Sequence, residues 1–180
     1  GDILDLLERT TGPIAAHTSV LDPAVGGGAF LLAVAERMSG DRVGIVENLW
    51  AVDIDPIALA AAHSSLSLWA GVPVPSDRFV LGDFLASSTS EQLPDRVDLV
   101  VGNPPFLSQL RGPTARGADA RAALRARWPD VGGYVDDAGA FLLAGAERVS
   151  ARGAMVLVQP DSVLASSDAA PVRARLQAGA

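Results

Sequence analysis

The sequence predicts an α/β domain with a doubly wound, mostly parallel β-sheet. Three observations support this prediction. Short apolar runs that are typical of buried strands alternate with longer apolar segments of helical character along the 180 residues. Turns rich in glycine, proline or aspartate follow the apolar runs. Because parallel strands need long crossover connections, the repeated order of strand and helix indicates right-handed βαβ units.

The first half of the chain contains three predicted strands. Residues 2–9 place their apolar side chains on one helical face, and Gly12 and Pro13 end this helix. The strands follow in the order 18–21, 49–52 and 78–81. Helices are expected between them at 29–38, after a glycine-rich turn, and at 57–69, where Pro56 suits the first turn.

The second half of the chain continues the same alternation. The fourth strand is predicted at 97–101, after a polar connection at 86–96. A long segment with several arginines and glycines follows, with a short helix at 118–128. A further apolar helix is expected at 137–150, a fifth strand at 154–159 and a last helix at 168–177. Pro160 ends the fifth strand because it lacks an amide donor.

Composition excludes several classes of chemistry. The chain has no cysteine and no lysine, so disulfides, thiolate metal sites, cysteine nucleophiles and lysine amines are excluded. Its two histidines, His17 and His63, lie far apart, and no metal site is expected. No apolar run approaches the roughly 20 residues of a membrane helix, and the amino end does not resemble a signal peptide. The expected location is cytoplasmic, without membrane partners.

Charge is distributed unevenly along the chain. The net charge is −7, which argues against a nucleic-acid-binding surface over the whole domain. Residues 107–129 nevertheless contain five arginines and one aspartate. This segment is interpreted either as a solvated insertion or as a phosphate-contacting one.

Four predicted strands end in residues that can bind ligands. The first is followed by Asp22 and a glycine-rich turn, the second by Asp53, the third by Asp83 and the fourth by Asn103. In open α/β sheets, ligands bind at the carboxyl ends of the strands. A dinucleotide site would need a third glycine at position 31, which is Leu31, so an oxidoreductase is not favoured.

These motifs resemble those of the S-adenosylmethionine-dependent DNA adenine methyltransferases. Residues 22–31 (Asp-Pro-Ala-Val-Gly-Gly-Gly-Ala-Phe-Leu) are similar to their cofactor motif, in which Val25 and Gly27 replace the usual cysteine and serine. Residues 102–106 (Gly-Asn-Pro-Pro-Phe) are similar to their catalytic motif. The order of the motifs resembles the gamma class, which includes fused restriction–modification enzymes, and the resemblance spans residues 18–167. It implies a Rossmann-like class I methyltransferase fold.

The resemblance implies a role for each matching residue. Gly26 and Gly28 would contact the methionine part of S-adenosylmethionine through their backbone, and Asp53 would accept hydrogen bonds from the ribose hydroxyls. The remaining cofactor-binding residues that it implies are Asp22, Pro23, Ala24, Phe30, Ile54 against the adenine ring, Asp83 at the adenine amine, Phe84 and Asn103. The implied catalytic residues are Asn103, Pro104, Pro105 and Phe106.

The chemistry of adenine methylation explains the catalytic motif. The exocyclic amine of adenine is a poor nucleophile because its lone pair is delocalised into the ring. Two acceptors, the Asn103 side chain and the Pro104 carbonyl, would hold both amine hydrogens and favour direct transfer through positioning and electrostatics. Phe106 would stack on a flipped base. No covalent enzyme intermediate is needed, in agreement with the absence of cysteine.

Two alternatives share parts of this pattern. Methyltransferases of protein glutamine or of RNA guanine amines also carry an Asn-Pro-Pro-aromatic motif, and a non-enzymatic module would keep only the cofactor pocket. We expect residues 1–180 to form the catalytic domain, with an Arg-rich insertion at about 107–135 and without a target recognition domain or the terminal strands. DNA and a restriction or specificity subunit or domain are the expected partners. Alone, the chain is expected to bind cofactor weakly and DNA only non-specifically.

Overall fold

The computed structural model describes residues 3–105, 118–131 and 137–179, with the side chains of residues 118–121 excepted. A five-stranded sheet with the order β3-β2-β1-β4-β5 forms its centre. The strands are β1 (Val20–Asp22), β2 (Leu49–Asp53), β3 (Phe79–Leu81), β4 (Val97–Gly102) and β5 (Val149–Leu157). All four pairings are parallel, so the predicted doubly wound parallel sheet is confirmed.

The central strand β1 lies between β2 and β4. Val20 is in register with Leu49 of β2 on one side and with Leu99 of β4 on the other. The chain therefore moves outward in one direction through β2 and β3, and returns to build β4 and β5 on the opposite side. In sheets with such a reversal, ligands usually bind in a crevice at the carboxyl ends of the two strands at the switch point, which are β1 and β4 in this chain.

Helices cover both faces of the sheet. The described helices of the first half of the chain are α1 (Ile3–Thr11), α2 (Ala29–Arg37), α3 (Arg42–Val46), α4 (Pro56–Ala70) and α5 (Ser87–Ser90). Those of the second half are α6 (Ala118–Arg127), α7 (Asp137–Ala146), α8 (Ser162–Ala165) and α9 (Ala170–Ala178). Helices α1 to α4 contribute to one apolar core, and α6 to α9 contribute to a second core across the sheet. No described helix has the length and apolar character needed to cross a bilayer.

The boundaries of α7 and β5 differ from the sequence prediction. The helix ends at Ala146 and the strand begins at Val149, whereas the sequence predicts a helix to residue 150 and a strand from 154. The reason is an irregular register with β4. Val97 pairs with Val149, but Leu99 pairs with Ala154, so residues 150–153 (Ser-Ala-Arg-Gly) form a bulge that interrupts the regular pairing. Because this run has no large apolar side chain, it conceals the pattern of a strand in the sequence.

The described part of the Arg-rich segment is packed into the domain. Leu124, Trp128 and Val131 are buried in the second core. The indole nitrogen of Trp128 donates a hydrogen bond of 2.7 Å to Glu147 Oε1. Arg127 forms an ion pair of 2.6 Å with the other carboxylate oxygen of Glu147. These contacts attach residues 124–131 firmly to the end of α7.

Candidate active site

The glycine-rich turn connects β1 to α2 and lies against the end of β2. Gly26 and Gly28 have φ angles of +52° and +88°, a left-handed conformation that side chains rarely adopt. The amide of Gly26 donates a hydrogen bond of 2.7 Å to Asp53 Oδ2. A Cβ atom at Gly28 would lie 3.0 Å from Ala62 Cα, so glycine also allows α4 to approach closely. The turn presents backbone at the crevice.

Asp22 is the most deeply buried carboxyl of the site, with 1% of its surface exposed. Its Oδ1 atom accepts a hydrogen bond of 3.0 Å from the Ala24 amide. A Cβ atom at Gly102 would lie 2.5 Å from the same oxygen, so the first residue of the Gly-Asn-Pro-Pro motif makes room for this carboxyl. Burial raises the pKa of Asp22 to about 7, and the neighbouring Asp53 carboxylate adds to the increase, while the Ala24 amide opposes it. A cation placed beside Asp22 would favour its ionised form.

Asp53 joins the glycine-rich turn to the start of α4. Its Oδ1 atom accepts a hydrogen bond of 2.9 Å from the Asp55 amide, and its Oδ2 atom accepts the bond from Gly26. The side chain is half-buried. Each oxygen retains acceptor capacity for a further donor, such as a sugar hydroxyl. The adjacent Ile54 side chain is 52% exposed and leaves an apolar surface beside the carboxylate.

The end of β3 places Asp83 next to Asp53. The Gly82 amide donates to the Asp53 carbonyl at 2.9 Å, and the Leu85 amide donates to Asp83 Oδ1 at 3.0 Å. Phe84 is 3% exposed, and its ring stacks on Phe141 with the ring centroids 5.7 Å apart. Phe84 therefore anchors this turn in the second core.

The end of β4 carries the Asn-Pro-Pro motif. Asn103 is exposed, Pro104 is buried and Pro105 is half-buried. The Val158 amide of the segment after β5 donates a hydrogen bond of 2.9 Å to the Gly102 carbonyl, which fixes the position at which the motif leaves the sheet. Phe106 lies outside the described residues.

The other predicted cofactor residues lie in the same turn or in the first turn of α2. Pro23 is buried, Ala24 is half-buried against the second core, and Phe30 is half-buried against the first core. The sequence interpretation did not include Gln159, which follows β5. Its side-chain amide is shielded from solvent and has no hydrogen-bond partner among the described residues. The signal in the sequence was a polar residue directly before Pro160 at a strand end.

The strand order brings the four predicted strand ends together. At one edge of the sheet, Asp53 and Asp22 are the last residues of β2 and β1, while Asp83 and Asn103 follow β3 and β4. Direct contacts connect neighbouring ends, since Gly26 binds Asp53 and Gly102 adjoins Asp22. In the described part of the chain, this edge carries carboxylates and the exposed carboxamide of Asn103. Such an arrangement can position two ligands by hydrogen bonding.

The sheet order, the glycine-rich turn after β1 and the acidic strand ends define a class I methyltransferase fold. The model of the N-6 DNA methylase family matches residues 3–176. This match covers nearly the whole chain, and the chain therefore belongs to the N-6 DNA methylase family.

Solved structures share this fold at low sequence identity. The M protein of the type I restriction enzyme EcoKI is 20% identical with a TM-score of 0.65, over 88% of this chain and 33% of that chain. The methyltransferase subunit of a type I restriction–modification system from Streptococcus thermophilus is 20% identical with a TM-score of 0.66, over 96% and 35%. DrdV, solved in complex with DNA, is 17% identical with a TM-score of 0.61, over 92% and 19%. This chain thus spans about a third of the length of the first two proteins. No curated protein matches its sequence.

Proposed function

We propose that this chain is the catalytic core of a DNA methyltransferase that transfers a methyl group from S-adenosylmethionine to the exocyclic amine of adenine. One observation carries the proposal. The glycine-rich turn and Asp53 lie at the same edge of the sheet as Asn103 and Pro104, in a chain of the N-6 DNA methylase family. The residues that we assign to the cofactor and those that we assign to the target base thus lie at one edge of the sheet.

The residues at the first two strand ends fit S-adenosylmethionine. Cβ atoms built at Gly26 and Gly27 would meet no described atom within 4 Å, so open space borders the turn. The Asp53 carboxylate has acceptor capacity for ribose hydroxyls, and the exposed Ile54 offers an apolar surface to the adenine ring. Asp22 provides a carboxyl for the positive charges of the methionine part. When bound, S-adenosylmethionine supplies an electrophilic methyl group on a sulfonium.

The target amine belongs at Asn103 and Pro104. The Asn103 Oδ1 atom and the Pro104 carbonyl would each accept one amine hydrogen and orient the nitrogen lone pair toward the cofactor side of the crevice. The prolines hold this geometry because each fixes its φ angle. The rate enhancement then comes from orientation and from acceptors that are in place before the reaction. The target base must leave the duplex to reach this edge.

DNA recognition requires surfaces beyond the described edge. The net charge of −7 does not favour phosphate contact over the whole domain. In the described part of the Arg-rich segment, Arg127 is paired with Glu147, whereas Arg125 is exposed. We therefore place site recognition in a longer cytoplasmic enzyme that carries this domain, together with a restriction or specificity subunit or domain. We also propose that residues 107–135 form an Arg-rich insertion of the catalytic domain.

The test compares Asn103→Ala with Asn48→Ala in the intact enzyme. Asn48 is the other asparagine of the chain, and its side chain donates to the Gly44 carbonyl away from the site. Asn103→Ala should slow methylation of adenine by roughly 10²–10³-fold, by analogy with lost transition-state hydrogen bonds, while cofactor affinity changes little. Asn48→Ala should methylate normally.

The assay follows labelled methyl transfer to DNA, RNA and protein, and sequencing of host DNA locates the modified bases. Methylation of DNA by Asn103→Ala at the rate of the unaltered enzyme would contradict the assignment. Label in protein glutamine or RNA guanine, with none in DNA, would favour the alternative substrates.

A further inference from the structure

Gln159 has a buried carboxamide that no described residue binds. Within residues 3–105, 118–131 and 137–179, neither Nε2 nor Oε1 has a hydrogen-bond partner, and both atoms are shielded from solvent. Burying an amide without such a partner costs free energy, and native proteins rarely leave both polar atoms of one side chain unsatisfied. A buried, unsatisfied amide at the ligand-binding edge of a sheet is therefore a candidate for ligand recognition.

The backbone places Gln159 beside the catalytic motif. Leu157 of β5 is in register with Gly102 of β4, and the Val158 amide donates to the Gly102 carbonyl at 2.9 Å. Gln159 is the residue after Val158, and Asn103 is the residue after Gly102, so both leave the sheet at the same end of these paired strands. Pro160 follows directly and restricts Gln159 to an extended backbone. The Pro160 carbonyl accepts a hydrogen bond of 3.1 Å from Val163, which anchors this corner to α8.

We propose that Gln159 is a further base-binding residue, whose Nε2 group donates a hydrogen bond to a ring nitrogen of the target adenine. This inference rests on the proposed function. If Asn103 and Pro104 hold the two amine hydrogens, the ring nitrogens on either side of the amine, N1 and N7, still need a donor. A carboxamide is well suited to adenine because it pairs a donor with an acceptor. Its Oε1 atom can share the amine hydrogen on the same side of the ring.

The variants separate base binding from a structural role. Gln159→Leu removes both polar atoms with little change in volume, and Gln159→Glu keeps the shape but loses the donor once its carboxyl is ionised. Met155→Leu is the control, since Met155 is a half-buried residue of β5 outside the site. Because Gln159→Leu removes an unsatisfied buried amide, its melting temperature should equal or exceed that of the unaltered enzyme.

The decisive measurement pairs these variants with altered bases in the intact enzyme. Sequencing first locates the methylated adenine, and oligonucleotides then carry adenine, 1-deazaadenine or 7-deazaadenine at that position. Gln159→Leu and Gln159→Glu should lower kcat/KM on adenine by roughly 10- to 100-fold, with cofactor affinity unchanged. The deaza base that lacks the bonded ring nitrogen should reduce kcat/KM of the unaltered enzyme by a similar factor. On that base, Gln159→Leu should cause no further loss.

Other results overturn the inference. Normal methylation of adenine by Gln159→Leu would exclude base binding. An equal loss by Gln159→Leu on adenine and on both deaza bases would indicate a structural role instead. Failure of the unaltered enzyme to methylate any adenine would reject the proposed function itself, before the variants are compared.

Discussion

The three glycines of the turn between β1 and α2 differ in what an alanine would cost. Gly28 has a φ angle of +88°, and its added Cβ would lie 3.0 Å from Ala62 Cα in the backbone of α4. Gly26 has a φ angle of +52°, but its Cβ would meet no described atom within 4 Å. At Gly27 neither constraint is present. Alanine at each position therefore separates backbone strain from crowding.

The expected costs follow from these two terms. A left-handed conformation costs an alanine roughly 1–2 kcal/mol, which should be the whole effect of Gly26→Ala. Gly28→Ala adds crowding against a helix backbone that cannot rotate away, for a further 1–3 kcal/mol or so. Its total of roughly 2–5 kcal/mol is a large part of the 5–15 kcal/mol of a typical domain. Gly27→Ala should be neutral or stabilising by about 0.4–1 kcal/mol, because it restricts the unfolded chain.

Urea unfolding followed by circular dichroism measures these differences, with a common m value as the check that the states are comparable. The expected order of stability is Gly27→Ala, then Gly26→Ala, then Gly28→Ala. If Gly28→Ala were no less stable than Gly26→Ala, the close approach of α4 would have no energetic role. If Gly27→Ala were as unstable as Gly28→Ala, the reasoning from local geometry would be refuted.

Two further predictions concern the carboxyls of the site. Burial raises the pKa of Asp22 from 3.8 to about 7, so the folded state binds this proton more tightly than the unfolded state does. The proton therefore contributes roughly 4 kcal/mol to the free energy of unfolding below pH 3.8. This contribution is lost as the pH rises to about 7. The free energy of unfolding, measured from pH 4 to 8, should therefore rise for Asp22→Asn relative to the unaltered chain until about pH 7. A difference between the two chains that stays constant with pH would contradict the assignment. Asp53→Ala should weaken S-adenosylmethionine binding by roughly 1–3 kcal/mol in calorimetry, and Asp53→Asn should weaken it less because one oxygen acceptor remains. Unchanged affinity of a folded Asp53→Ala variant would exclude Asp53 from the ribose contact.

The sequence alone determined the fold class and the family. Apolar runs and turn residues act over a few neighbours, so the five strands and the turn at Gly26 and Gly28 were predictable from local patterns. The resemblance of residues 22–31 and 102–106 to methyltransferase motifs led to the family that the N-6 DNA methylase model matches. Each motif lies within one short segment, and this is why sequence comparison was sufficient.

The tertiary structure alone decided how distant segments meet. The strand order places Asp53 against Gly26 and Gly102 against Asp22, and the pairing of β5 with β4 creates the bulge after Val149. The raised pKa of Asp22 and the unsatisfied amide of Gln159 are consequences of burial, and burial depends on every element that packs around a residue. No local sequence pattern predicts the hydrogen bonds, the desolvation or the strand register between segments that lie many residues apart. These features follow only from the folded chain.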